Sequence, residues 1–139
     1  DLPAFLPEEY VIDTDVRLNL YRRLSALVEK TELAEIAEEI QDRFGPPPVE
    51  VKNLLALMSV RILLKKMGVI RMDVGVRSLT LTFAPHSSID TEKLLAVVGD
   101  KPNRFRFLSQ DKLRIHTENL SDPVDLEKVE NYLSEIEFQ

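Results

Sequence analysis

The 139-residue chain has no cysteine and no tryptophan, only 2 histidines and 4 glycines, and just 6% aromatic residues. Each shortage closes off a class of chemistry. Without cysteine there is no disulfide, no thiolate-ligated zinc and no thiol nucleophile, a usage that sits easily with a reducing cytosol. His86 and His116 are the whole histidine complement and cannot supply a His-rich metal site. The four glycines, at 45, 68, 75 and 99, are too scattered to compose a GxGxxG fingerprint. GxxxxGK[ST], GxSxG, HExxH and EF-hand patterns are equally missing, so no phosphate-cradling loop, nucleophile elbow or metal helix is present. No apolar run is longer than Leu54 to Met58, far short of the ~20 residues of a membrane span. No signal-peptide pattern opens the chain, and the start Asp1-Leu2-Pro3 fits a piece of something longer.

What remains is an ordinary core and an acidic surface. The length suits one domain and buries about 68% of the unfolded chain's surface, enough for a core without staples. The 18 Lys and Arg against 24 Asp and Glu give a net charge of −6. That balance argues against bulk attraction to DNA or to an anionic membrane, but not against a local basic patch.

The periodicities predict an α+β fold in the order ααα-ββ-α-ββ-α, read as one compact domain over residues 1–139. Residues 1–12, with Pro3 and Pro7 biasing their predecessors away from helix, form an extended strap anchored by Leu2, Phe5, Leu6, Tyr10, Val11 and Ile12. A helical part covers 13–68. Its first helix starts at Asp13 or Asp15 and runs to about Lys30, with Arg17 pointing into the apolar arc at its start and expected to make an ion pair or a carbonyl contact. Thr31 caps a second helix, striped by Leu33, Ile36, Ala37, Ile40 and Phe44 and stopped by Gly45 and Pro46–Pro48. A third, from Pro48 to Met67, is apolar nearly all round and therefore reads as a buried central pillar.

After Gly68 the period changes from 3.6 to 2. Ile70, Met72 and Val74, then Leu79, Leu81 and Phe83, make a first hairpin, and a short helix capped by Asp90 stops at Gly99. Phe105 and Phe107 with Leu113 and Ile115 make a second hairpin. Asp122, with Pro123 at the first helical position, opens a last helix striped by Leu126, Val129, Leu133 and Ile136. This ββαββα part covers 69–139.

As an enzyme the chain reads empty. His86 beside Ser87 and Ser88 is the one arrangement reminiscent of a base and nucleophile, but adjacent positions rarely hold that geometry and no third orienting group can be named, so a surface loop is the preferred reading. Two charged surfaces are more interesting. On the second helix, taking Leu33 as zero at 100° per residue, Glu35, Glu39 and Asp42 fall about 180° to 240° away, with Glu32 and Arg43 just beyond. That is a solvated face or a docking face for a basic partner, and spacing alone leaves both open. The second is the polar face of the later hairpin, Arg104, Arg106, Lys112, Arg114 and His116, which could contact phosphates. Its phenylalanines alternate inward, so it offers no platform for stacked bases. Residues 1–45 carry 5 Lys and Arg against 11 Asp and Glu, so the acidity concentrates around the first two helices.

The segment Glu39-Ile40-Gln41-Asp42-Arg43-Phe44-Gly45, with the three prolines behind it, closely resembles the C-terminal domain of the bacterial transcription-repair coupling factors, the Mfd family. The opening Phe5-Leu6-Pro7-Glu8-Glu9-Tyr10-Val11, the stretch Arg17 to Leu24 and the apolar helix ending Lys65-Lys66-Met67-Gly68-Val69 fit the same family in order and spacing. The resemblance implies a parent that is an ATP-driven DNA translocase displacing stalled RNA polymerase and recruiting excision repair in the bacterial cytoplasm. ATP and Mg would serve the parent's motor, with no cofactor or metal in this domain. It further implies a non-catalytic, autoinhibitory role: docking on the UvrB-like module of the same polypeptide and masking its UvrA-binding surface. By match, Glu39, Asp42 and Arg43 carry that contact, with Glu35 and Glu32 beside them. A nucleic-acid-contacting accessory domain using Arg104, Arg106, Lys112 and Arg114 is the alternative.

Overall fold

The computed structural model describes residues 2–85 and 91–136. The elements follow the expected order: α1 (Thr14–Ser25), α2 (Lys30–Phe44), α3 (Val49–Lys66), β1 (Val69–Val74), β2 (Ser78–Phe83), α4 (Thr91–Asp100), β3 (Phe105–Ser109), β4 (Lys112–His116) and α5 (Leu126–Ser134). The chain divides into two compact units, Asp1–Ile62 and Leu63–Gln139.

The first unit is built on a strap and helices. Asp13 caps α1, its carboxylate accepting from the Asp15 and Val16 amides at 2.8 and 3.1 Å. Arg17, half-buried, donates to the Val11 carbonyl at 2.8 Å, the carbonyl contact expected of it. The helix ends at Ser25 rather than Lys30, because the Ala26 amide turns back on the Arg22 and Arg23 carbonyls and the chain leaves the helix there. α2 begins one residue before the expected cap. Glu29, in extended conformation, is its N-cap, and Glu32 turns its carboxylate back onto the Val28 and Glu29 amides at 3.2 and 2.9 Å. That reciprocal carboxylate cap outcompetes the Thr31 hydroxyl. Leu20, Leu24, Leu27, Leu33, Ile36 and Ile40 then bury against Leu6, Val11, Val51, Leu54 and Ile62.

The strap is held by backbone as well as by apolar anchors. The Leu6 amide donates to the Tyr21 hydroxyl at 2.7 Å, and the Asn53 side-chain amide donates to the Pro3 carbonyl at 2.8 Å. Leu6 and Val11 are the buried anchors, whereas Phe5 and Ile12 face water at 46% and 82% exposure. Nor is α3 buried all round: Val49 and Leu57 are exposed, so the expected pillar keeps a wet side.

The second unit contains a four-stranded antiparallel sheet in the order β1-β2-β4-β3. Two hairpins therefore meet along the β2–β4 seam. Val69, Met72 and Val74 lie opposite Phe83, Leu81 and Leu79, on the face where Leu113, Ile115 and Phe105 are buried. A bulge between Val69 and Arg71 inserts Ile70 as an extra residue, which is why Ile70 is exposed rather than in phase with Met72. α4 runs through Gly99 to Asp100, past its expected stop, where a side chain on Gly99 would meet open space. α5 is capped not by Asp122 but by Asp125, whose carboxylate accepts from the Glu127 and Lys128 amides at 3.1 and 3.3 Å. Its Val129 and Leu133 are fully buried, as is Ile136 just past its end. His86, Ser87, Ser88 and the Asp90 cap lie outside the described residues. Among the described residues, no helix is long and apolar enough to cross a membrane.

Candidate docking face

The charged residues of α2 do three different jobs, and only part of the face is left available. Glu32 is committed to the N-terminus of its own helix, as described above. Glu39 lies across the seam between α1 and α2. Arg23 of α1 grips it with both terminal nitrogens, Nη1 to Oε2 at 2.7 Å and Nη2 to Oε1 at 2.8 Å, while Arg43 reaches Oε2 from one turn along at 3.0 Å. Planar guanidinium and carboxylate match in such a bidentate pair, which gives direction as well as charge.

The Arg23 hydrogen bonds, then the Arg43 bond, hold the Glu39 carboxyl well below its ordinary 4.5, at about 2. The same bonds raise Arg23. Solvent still reaches 34% of the Glu39 side chain, so screening leaves this pair worth ~1 kcal/mol, less than the shift alone would suggest.

Arg43 also lies over the Phe44 ring, 5.0 Å from its centroid. Phe44 packs at a tilt on Tyr10, with centroids 5.7 Å apart, and the Tyr10 hydroxyl donates to the Gly45 carbonyl at 2.6 Å. Gly45 has φ +89°, a conformation that favours glycine, so the Arg43-Phe44-Gly45 run is a helix end fastened to the strap.

Glu35 and Asp42 are exposed and have no hydrogen-bond or ion-pair partner among the described residues. Glu38 is in the same condition, at 140° from Leu33 on the same wheel. Glu35, Glu38 and Asp42 thus form the unpaired stripe (i, i+3, i+7), flanked by the braced Glu39–Arg43 pair. Angle alone places Glu38 and Glu39 on the outer side together, and only pairing tells the free Glu38 from the braced Glu39. Like charges at this spacing repel one another, so the stripe contributes nothing to helix stability.

The sequence model of the TRCF domain family matches residues 1–94. The chain belongs to the TRCF domain family. Curated relatives named "Transcription-repair-coupling factor" include that of Haemophilus influenzae, 32% identical over 135 residues, and that of Rickettsia conorii, 31% identical over 112 residues. The Escherichia coli relative is 24% identical over 136 residues. These matches take in 97%, 81% and 98% of this chain but only 12%, 10% and 12% of the relatives, so the TRCF domain chain spans about a tenth of their length. In fold it is similar to a solved "C-terminal domain of transcription-repair coupling factor", with a TM-score of 0.75 at 20% identity, over 98% of this chain and 88% of that one. The α+β reading and the family resemblance both stand.

The other candidate surface is only partly assembled. Arg106 and Arg114 are directly opposite on β3 and β4, with Lys112 on the same sheet face. Arg104 is already engaged elsewhere. It lies one residue before β3 begins, pairs with Glu135 at the C-cap of α5 at 2.6 Å and stacks over the Tyr132 ring at 5.6 Å. Its charge is neutralised, and Glu135 raises its pKa. The expectation that Arg104 is free for a partner is therefore corrected: Glu135 takes it.

Proposed function

We propose that this TRCF domain is a non-catalytic regulatory module that docks through the outer face of α2 onto a basic surface of the UvrB-like module of its own polypeptide. Docking masks the surface that UvrA would engage, in a cytoplasmic bacterial protein whose motor elsewhere uses ATP and Mg and whose partners are RNA polymerase and DNA. The observation that supports this reading is the Glu35–Glu38–Asp42 stripe: three carboxylates on a rigid helix, with no partner among the described residues, beside a braced Arg43.

The division of labour is specific. Asp42, with Glu35 and Glu38, accepts from Arg or Lys of the partner. Arg43, held in place by Glu39 and Phe44, meets a partner carboxylate and fixes the register. Glu39 acts through Arg43 and is a positioning residue, because its oxygens are already taken. Exposed charge pairs are individually weak, which suits a lock that must open: shifting a closed-to-open ratio by ~10⁴ needs about 5.5 kcal/mol. In the full-length protein, Glu35→Lys with Asp42→Lys is expected to raise UvrA binding at least tenfold in the absence of polymerase. UvrA binding that stays at the wild-type level would remove this reading.

A further inference from the structure

A second charged surface is laid out on the sheet, and it has the opposite sign. Pairing register puts Arg71 and Asp73 of β1, Thr80 and Thr82 of β2, Lys112 and Arg114 of β4, and Arg106 of β3 on one face, away from the buried leucines. The only carboxylate on these strands is Asp73, and Arg71 beside it already holds it at 3.0 Å.

Arg106 and Lys112 are exposed, and neither they nor Arg114 have an acceptor among the described residues. Arg114 is half-buried, with its Nε–H out of water and donating to nothing among the described residues. Directly opposed like charges weaken a sheet pair, so Arg106 facing Arg114 costs the fold stability that a bound anion would return. Around the cations stand the hydroxyls of Thr80 and Thr82.

From this arrangement we infer that the β2–β4–β3 face is a contact surface for the phosphodiester backbone of nucleic acid. Arginine, lysine and threonine hydroxyls are the donors that meet phosphate oxygens. The face has no aromatic ring among those residues on which bases could stack, so binding is to backbone and insensitive to sequence. An acidic polypeptide would meet the same cations. A phosphodiester strand carries its charge at every nucleotide without interruption, which suits cations repeating at every second residue of a strand. This surface is separate from the α2 stripe and does not depend on the docking reading.

The test is fluorescence anisotropy of the 1–139 chain with a labelled 20-nucleotide single strand of mixed sequence, at 50 to 200 mM salt. Three phosphate contacts predict a slope of log K against log salt of about −2, or roughly a twentyfold loss across that range. Arg106→Gln with Arg114→Gln is expected to cut the slope to about −0.7, while Arg106→Lys with Arg114→Lys keeps it near −2. Lys112→Gln, at an exposed strand end, gives an independent reading with an expected slope near −1.4. Glu35→Gln with Asp42→Gln leaves the slope unchanged, which separates this surface from the docking stripe. Absence of binding at 50 mM salt, slopes unaltered by the glutamine variants, or displacement by polyglutamate at equal charge would each overturn the inference.

Discussion

The acidic face of α2 and the basic face of the sheet invite comparison, because each looks larger in the sequence than it is in the fold. On α2, Glu39 is spent on Arg23 and Arg43, and Glu32 on the helix start, so Glu35, Glu38 and Asp42 are what remains. On the sheet, Arg104 is spent on Glu135 and Tyr132, so Arg106, Lys112 and Arg114 remain. In both places a neighbour in space has taken up the charge at the margin. Formal charge counts what is encoded; pairing decides what a partner can reach.

Removing the apolar support beneath each face is expected to have the largest effect. Ile40 and Leu113 are 1% and 0% exposed. Ile40→Ala and Leu113→Ala are each expected to cost about 2–5 kcal/mol in urea unfolding, since a cavity adds to the lost burial. A cost below 1 kcal/mol at either site would mean that the face above it does not rest on a packed core.

A smaller effect separates the braced carboxylate from the free ones. Arg23→Ala is expected to cost ~1 kcal/mol and to move Glu39 from about 2 back toward its ordinary 4.5 in an NMR titration. The same pair sets a pH dependence. Because the folded-state pKa lies below the unfolded one, its stabilisation is complete above about pH 4.5 and is lost as pH falls through about 2. In Arg23→Ala the acid limb of the stability curve between those values should flatten.

Smaller still, Glu32→Ala removes the acceptor for the Val28 and Glu29 amides and is expected to cost about 0.5–1 kcal/mol. Arg106→Thr should stabilise the sheet by a few tenths of a kcal/mol by ending its opposition to Arg114. A destabilised Arg106→Thr would show that the two arginines are not in conflict.

Much of the fold was legible because it follows local periods. The stripe of Leu33, Ile36 and Ile40 put the acidic residues of α2 on the outer side, and alternation gave all four strands their place. The misses share a cause: each depends on a contact distant in sequence or on a competition between caps. That Arg23 meets Glu39 follows from how α1 and α2 pack, which neither helix's own period records. Ile70 looked in phase with Met72 because a bulge leaves no mark in an alternating string. Arg104 kept the parity of Arg106, yet lies just before the strand and is drawn to Glu135. The caps at Glu29 and Asp125 were missed for Thr31 and Asp122 because several side chains competed and geometry chose among them.

Titrating the 1–139 chain against the isolated UvrB-like module at two salt concentrations shows whether the unpaired stripe of α2 addresses a basic partner. Binding is expected to be salt-sensitive and to weaken at least tenfold in Glu35→Lys with Asp42→Lys, and only a fewfold in Glu39→Gln, whose role is to position Arg43. Equal binding by the wild type and the double lysine variant would contradict a docking role for the stripe.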